Sequence, residues 1–333
     1  MNFALELKSS AMTLGWAMLI ILASVCLPVH AGTNSAAGGF GSLTSRLDQV
    51  HDIVTREFLD SNKRLDEFLT NSQTEDDPKK CYMRLSLKTY YQDGFGIGPN
   101  AKIRLALPRT EDRFHLFVEH FSDDEGPASE QEAAASQVRN NTTYAGLRTF
   151  IGSAERVRKF VDLGVDLPRF NPFIRFDVAS DVKWRGIIFK PEAQVSWEKD
   201  DGYGTKLVLD AKYRYAPQSW VRTYSEVSWT QHDDENGLKV VQNISAPYQR
   251  TAVDAVIPVF EVDGHTTING VLEDYWTTVR YRRLIYKDWL FVEIEPGFEF
   301  PYDKGFNFSP IIRFKIEVVF GSGFSSKDQL LAD

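Results

Sequence analysis

The sequence predicts an all-β fold: a transmembrane antiparallel up-and-down β-barrel of about 14 strands, or 12 if two early hairpins merge, with an N-terminal amphipathic helix. Three observations predict it. The chain opens on an export signal, a period-two alternation of apolar and charged residues runs from Tyr82 to Phe320, and no uncharged run after Leu27 reaches the roughly 20 residues of a spanning helix. The closing segment is the clearest case, with Phe314, Ile316, Val318 and Phe320 on one face and Arg313, Lys315 and Glu317 on the other. An unpaired Arg or Lys facing lipid costs about 2–4 kcal/mol at the midplane, so the charged face belongs to a lumen.

Residues 1–31 read as a signal peptide. Lys8 precedes an apolar run from Ala11 to Leu27, and Val29-His30-Ala31 offers a small-residue cleavage site. Cys26 falls inside this segment, leaving Cys81 alone in the exported chain and no internal disulfide. Residues 32–80 then form a linker and a helix. Gly32 to Ser42 is the small-residue linker, Ser45 is a candidate cap, and Leu47, Val50, Ile53, Val54, Phe58, Leu65, Phe68 and Leu69 recur at helical spacing. Such a stripe fits a periplasmic helix on the barrel mouth, a plug in the lumen or a partner-binding coil. Thr74 to Lys80 is an acidic linker.

The barrel occupies 81–320. Its predicted strands are Tyr82–Tyr91, Ala101–Leu107, Arg113–Phe121, Thr143–Gly152, Val157–Leu167, Pro172–Trp184 and Ile187–Glu198. They continue as Tyr203–Tyr215, Trp220–Gln231, Leu238–Pro247, Ala252–Glu261, Thr266–Tyr286, Trp289–Tyr302 and Phe306–Phe320. An even number suits a bacterial barrel. Residues 321–333 form a tail that hangs in the periplasm or folds into the barrel mouth.

Strand parity assigns the faces. Phe189, Ala193, Val195 and Trp197 oppose Lys190, Glu192, Gln194 and Glu198; Leu207, Leu209 and Tyr213 oppose Lys206, Asp210 and Lys212. Ile174 and Phe176 oppose Arg175 and Asp177, while Leu290, Val292 and Ile294 oppose Glu293 and Glu295. With Arg280 and Arg282, these charges and Arg313, Lys315 and Glu317 form a predicted lumen ladder of both signs on neighbouring strands.

Turn lengths orient the barrel. Arg109-Thr110-Glu111, Ala216-Pro217-Gln218-Ser219 and Lys287-Asp288 are short, as periplasmic turns are. Gln92 to Asn100, Ser122 to Asn141, Lys199 to Gly202, His232 to Gly237 and Pro301 to Gly305 are the outward loops. Aromatics near strand ends, Trp184, Tyr203, Tyr215, Trp220, Trp276 and Trp289 among them, suit girdles at the two headgroup levels. The net charge of −8 offers no basic stripe for phosphates, which excludes nucleic acid as a partner.

Two resemblances follow from these residues. Phe314, Ile316, Val318 and Phe320 resemble the C-terminal signal read by the barrel assembly machinery, although the tail extends beyond it. Tyr281-Arg282-Arg283-Leu284-Ile285-Tyr286-Lys287-Asp288-Trp289-Leu290-Phe291-Val292-Glu293-Ile294-Glu295-Pro296, with the closing strand, resembles the end of a family of uncharacterised proteobacterial outer-membrane barrels. The resemblance implies fold and outer-membrane location and carries no activity.

Chemistry must therefore be sought at sites. His120-Phe121-Ser122 has the His-to-Ser spacing of outer-membrane phospholipases, without their continuation, since Asp123 and Asp124 follow. His232-Asp233-Asp234-Glu235 offers the acidic and imidazole groups by which rim proteases activate water. Either pair would make the chain a rim-located hydrolase of lipid or peptide. Acidic loops such as Asp123-Asp124-Glu125 and Asp200-Asp201 are solvated surface, or hard-oxygen ligands for divalent cations. Gly94-Phe95-Gly96-Ile97-Gly98 lacks a Walker lysine and reads as a hairpin tip; no metal site or cofactor motif is present in the sequence. The leading expectation is a Gram-negative outer-membrane barrel in contact with lipid and lipopolysaccharide, serving as a narrow or plugged pore or as a structural envelope protein.

Overall fold

The computed structural model describes residues 36–70, 81–92, 94–106, 114–121, 142–151, 157–167, 169–217, 219–232, 237–266, 273–322 and 330. The predicted signal peptide, the Thr74 to Lys80 linker and the Ser122 to Asn141 loop lie outside them. The chain divides into two compact units, Met1–Ser61 and Asn62–Asp333. The barrel belongs to the second.

Its strands are β1 (Tyr82–Tyr91), β2 (Phe95–Ala106), β3 (Phe114–Phe121), β4 (Thr142–Phe150), β5 (Val157–Asp166), β6 (Asn171–Ser180), β7 (Val182–Trp184) and β8 (Ile187–Glu198). They continue with β9 (Gly202–Ala216), β10 (Ser219–Thr230), β11 (Lys239–Ser245), β12 (Tyr248–Gln249), β13 (Asp254–His265), β14 (Asp274–Tyr286), β15 (Leu290–Pro301) and β16 (Ser309–Gly321). Two pairs of these are halves of one stave. β6 and β7, parted at Asp181, both pair with β8. β11 and β12 are parted at Ala246-Pro247, where proline has no N–H to give the ladder, and both pair with β10 and β13.

With the halves joined, fourteen antiparallel staves run in sequence order among the described residues, and β16 returns to pair with β1. That seam joins Tyr82 to Gly321 at one end and Tyr91 to Ile312 at the other. The sheet is a closed barrel, which leaves neither β1 nor β16 an open edge.

The faces follow the pleat. On β6, Asn171, Phe173, Arg175 and Asp177 are buried while Pro172, Ile174 and Phe176 are exposed. On β8 and β9, Gln194, Ser196, Glu198 and Lys206 are buried, while Val195 is 55% exposed and Leu207 61%. Large apolar residues outside and charges inside invert the order of a soluble protein. Apolar residues facing outward on the described staves of a closed ring are what a bilayer solvates.

Several sequence expectations need correction. The Gln92 to Asn100 loop is mostly strand: β2 starts at Phe95 and pairs with β1 from Tyr91 to Phe95 onward, so Gly96 and Gly98 lie in a ladder and not at a hairpin tip. The strand expected from Thr266 starts only at Asp274, the first residue that pairs with β13. Helix α1 (Ala36–Thr70) begins inside the supposed Gly32 to Ser42 linker, placing Ser45 in its interior and not at a cap. Once a helix has nucleated, each added residue gains a hydrogen bond, which offsets the roughly 1 kcal/mol cost of a glycine. Ile53, expected in the apolar stripe, is exposed. Trp289 and Phe320, expected at the lipid side, are buried, as is Val318; the in-out alternation ends over the last turn-side residues of the seam.

Positive φ marks two places where backbone geometry constrains the chain, one in a turn and one at the end of β16. Arg185-Gly186 joins β7 to β8 with φ of 49° and 83°, the doubly left-handed pair that matches the twist of a hairpin. Gly321 has φ of 118°, and a Cβ there would stand 2.2 Å from the Cys81 carbonyl oxygen, which also accepts the Ser322 N–H at 2.9 Å. Gly321→Val should therefore strain the seam by about 1–3 kcal/mol. In heat-modifiable gel migration the folded band should convert to the unfolded one at a lower temperature than wild type; an unchanged transition would show that the seam tolerates a side chain there.

Candidate functional site

The inward face of the barrel carries the charge. On the staves around the seam, register brings opposite signs level: Glu293 opposite Lys315 and Glu295 opposite Arg313 on β15 and β16, and Arg282 opposite Glu293 on β14. The side chains then meet. Lys315 Nζ lies 3.4 Å from Glu293 Oε1, and Arg313 Nη1 donates to Glu295 Oε1 at 3.3 Å. Arg280 Nε stands 3.5 Å from Glu293 and 3.3 Å from Glu295.

Arg282 is the hub of this group. It is only 1% exposed, donates to Glu293 at 3.1 Å and to Glu317, and stacks its guanidinium 4.8 Å from the Phe291 ring centre. Arg84 Nε approaches Glu317 from β1 at 3.6 Å, carrying the network across the seam. Each carboxylate is thus held by more than one cation, the arrangement that offsets the cost of taking charge out of water.

A second group spans β4 to β10. Arg148 grips Asp162 with two bonds of 2.7 Å, and Arg175 donates to Glu198 at 2.8 Å while stacking on Tyr144 and Phe173. Arg222 donates to Asp210 at 2.6 Å, Gln194 to Asp177 at 2.7 Å and Tyr224 to Glu226. Lys206, 1% exposed, stands diagonal in the register to Glu192 on β8 and Glu226 on β10, its amine without a hydrogen-bond partner among the described residues. Lys212 lies 4.9 Å from the Trp220 ring centre, and Lys190 is exposed opposite Asp210 in the register.

Parity thus brings Arg280, Arg282, Glu293, Glu295, Arg313, Lys315 and Glu317 into one network. It places Lys190, Glu192, Lys206 and Lys212 on β8 and β9 beside the second group. Sequence reasoning missed Arg84, Arg148, Asp162, Arg222 and Glu226. Arg148 and Asp162 were legible as charges on adjacent predicted strands, but pairing them needs a register, which only the hairpin geometry supplies.

The hydrolase candidates do not converge among the described residues. His120 lies on β3 with its backbone opposite Thr143, and its partner Ser122 lies outside the described residues, as does Asp233. His232 is exposed, its Nδ1 4.0 Å from Asp201. No group of three or more His, Cys, Asp or Glu is placed to hold a metal ion among the described residues. Of the predicted assembly signal, Phe314 and Phe320 differ in setting, the first exposed and the second buried, with Ile316 half-buried between them.

No family model and no curated protein matches the chain. Among solved structures it is similar to the KdgM porin in complex with disordered oligogalacturonate, at 10% identity and a TM-score of 0.34, covering 71% of this chain and 98% of that one. It is also similar to the outer membrane channel DcaP of Acinetobacter baumannii, at 8% identity and a TM-score of 0.46 over 72% of this chain and 96% of that one. A third is a loop-deletion mutant of OmpT, an outer membrane protein of Vibrio cholerae, at 7% identity and a TM-score of 0.44 over 72% and 98% of the two chains. Likeness at this level brings no residue across. The chain's own closed ring, apolar outside and charged within, defines its class as a transmembrane antiparallel β-barrel.

The hub makes a stability prediction. Arg282→Met leaves Glu293 and Glu317 short of a cation in a buried setting and should cost about 3–5 kcal/mol. Adding Glu317→Gln should return part of that loss, giving a coupling of about 0.5–3 kcal/mol in a double-mutant cycle read by urea unfolding in detergent micelles. Additive losses would show that the two side chains act independently.

Proposed function

We propose that this chain is an integral outer-membrane β-barrel acting as a narrow, charge-lined channel. The observation that carries the reading is the inward network itself. Arg282, Glu293, Glu295, Arg313 and Glu317 are all buried although they face the barrel interior, so the passage they line is tight and polar. A wide water-filled pore would leave such side chains solvated.

Both signs in the lining favour passage of small hydrated or dipolar solutes over bulk flow, because each carboxylate is already held by cations and offers only its remaining field. The exposed apolar belt would contact lipid and, on the outer leaflet, lipopolysaccharide. Divalent cations at the acidic outward loops and the barrel assembly machinery at the closing strand belong to the same proposal.

The test is single-channel recording in planar bilayers with the purified full chain. Small, discrete conductance steps are expected. Glu295→Gln removes the carboxylate facing Arg313 and one of the two facing Arg280, so anion over cation permeability, read from the reversal potential in a salt gradient, should rise about two- to threefold. Absence of any current from protein that still migrates as a folded barrel would remove the channel reading in favour of a structural envelope role.

A further inference from the structure

The interior is charged along most of its described height, but one mouth has an apolar floor. Phe291 on β15 and Val319 on β16 both face inward, and both are fully buried. Leu284 of β14, opposite Phe291 in the register, packs against them. This is the end of the barrel where β1 begins and β16 ends, beside the Lys287-Asp288 turn.

Inward apolar side chains at a watery mouth need a cover, and the structure supplies one. Leu330, nine residues beyond the last strand, is 0% exposed and packs with Phe291 and Val319. Its seat lies directly on the charge network, because the Phe291 ring carries the Arg282 guanidinium 4.8 Å from its centre. An apolar side chain buried there excludes water from the mouth next to the hub.

We propose that the C-terminal segment docks through Leu330 on the floor of Phe291, Val319 and Leu284 and restricts the channel from that mouth. The occupant is the chain's own tail, tethered at Gly321, so docking needs no partner and a high effective concentration holds it in place. The restriction rests on the channel reading above; the docking does not.

Two measurements separate these. In a Cys81→Ser background, Val319→Cys with Leu330→Cys should form an intramolecular disulfide on mild oxidation, visible as a reducible shift on a denaturing gel. In planar bilayers, Leu330→Asp and a chain ending at Ser322 should both conduct about twofold more than wild type, since widening the narrowest part of a passage raises its current directly. Unchanged heat-modifiable migration serves as the folding control. No disulfide, or a truncated barrel that conducts as wild type does, overturns the proposal. A disulfide without current from any form sinks the channel reading and leaves the docking standing.

Discussion

Everything in this molecule depends on the lack of any hydrogen-bond partner for backbone inside a bilayer. A strand that faces lipid must give every N–H and C=O to a neighbour, so an open sheet is excluded and the fourteenth stave has to return to the first. The seam between β1 and β16 is the place where that demand is met last. Closure in turn decides the side chains. Once the ring exists, each alternate residue points at hydrocarbon or at a confined interior, and the sequence has no third environment in which to place a charge.

That division explains how much was legible without coordinates. The strand count, the closed antiparallel architecture and the inward direction of Arg175, Asp177, Lys206 and Arg282 follow from a period of two. Periodicity survives even where strand ends are misjudged, so Arg175, Asp177, Lys206 and Arg282 are buried as the alternation requires although the start of β2 was misplaced by several residues; it fails at the seam end, where Trp289, Leu290, Val318 and Phe320 are buried instead of exposed. Glycines at Gly94, Gly96 and Gly98 suggested a turn by composition, but only Gly94 lies in the turn, and backbone pairing with β1 extends the ladder through Gly96 and Gly98.

The candidate site was legible in kind and not in detail. Alternation names the inward charges but is silent on which carboxylate meets which cation, because that is a property of register and of diagonal neighbours. Arg282 reaches past β15 to Glu317 on β16, a contact no single strand pattern encodes. The seat of Leu330 was out of reach: a few apolar residues in a short tail have no period, so the sequence could offer only a tail that hangs free or folds into the mouth, and the burial of Leu330 depends on packing with Phe291 and Val319.

The seam also imposes a chronology. β1 is the first stave to leave the secretion route, yet its partner β16 is the last, so every other strand must be delivered before either edge is satisfied. Loop-closure entropy across the whole barrel has to be met before that final pairing returns anything, which makes completion slow and leaves two hydrogen-bonding edges open in the meantime. A barrel built this way spends its immaturity as an aggregation hazard, and its safety then depends on how long it is escorted more than on how stable it becomes.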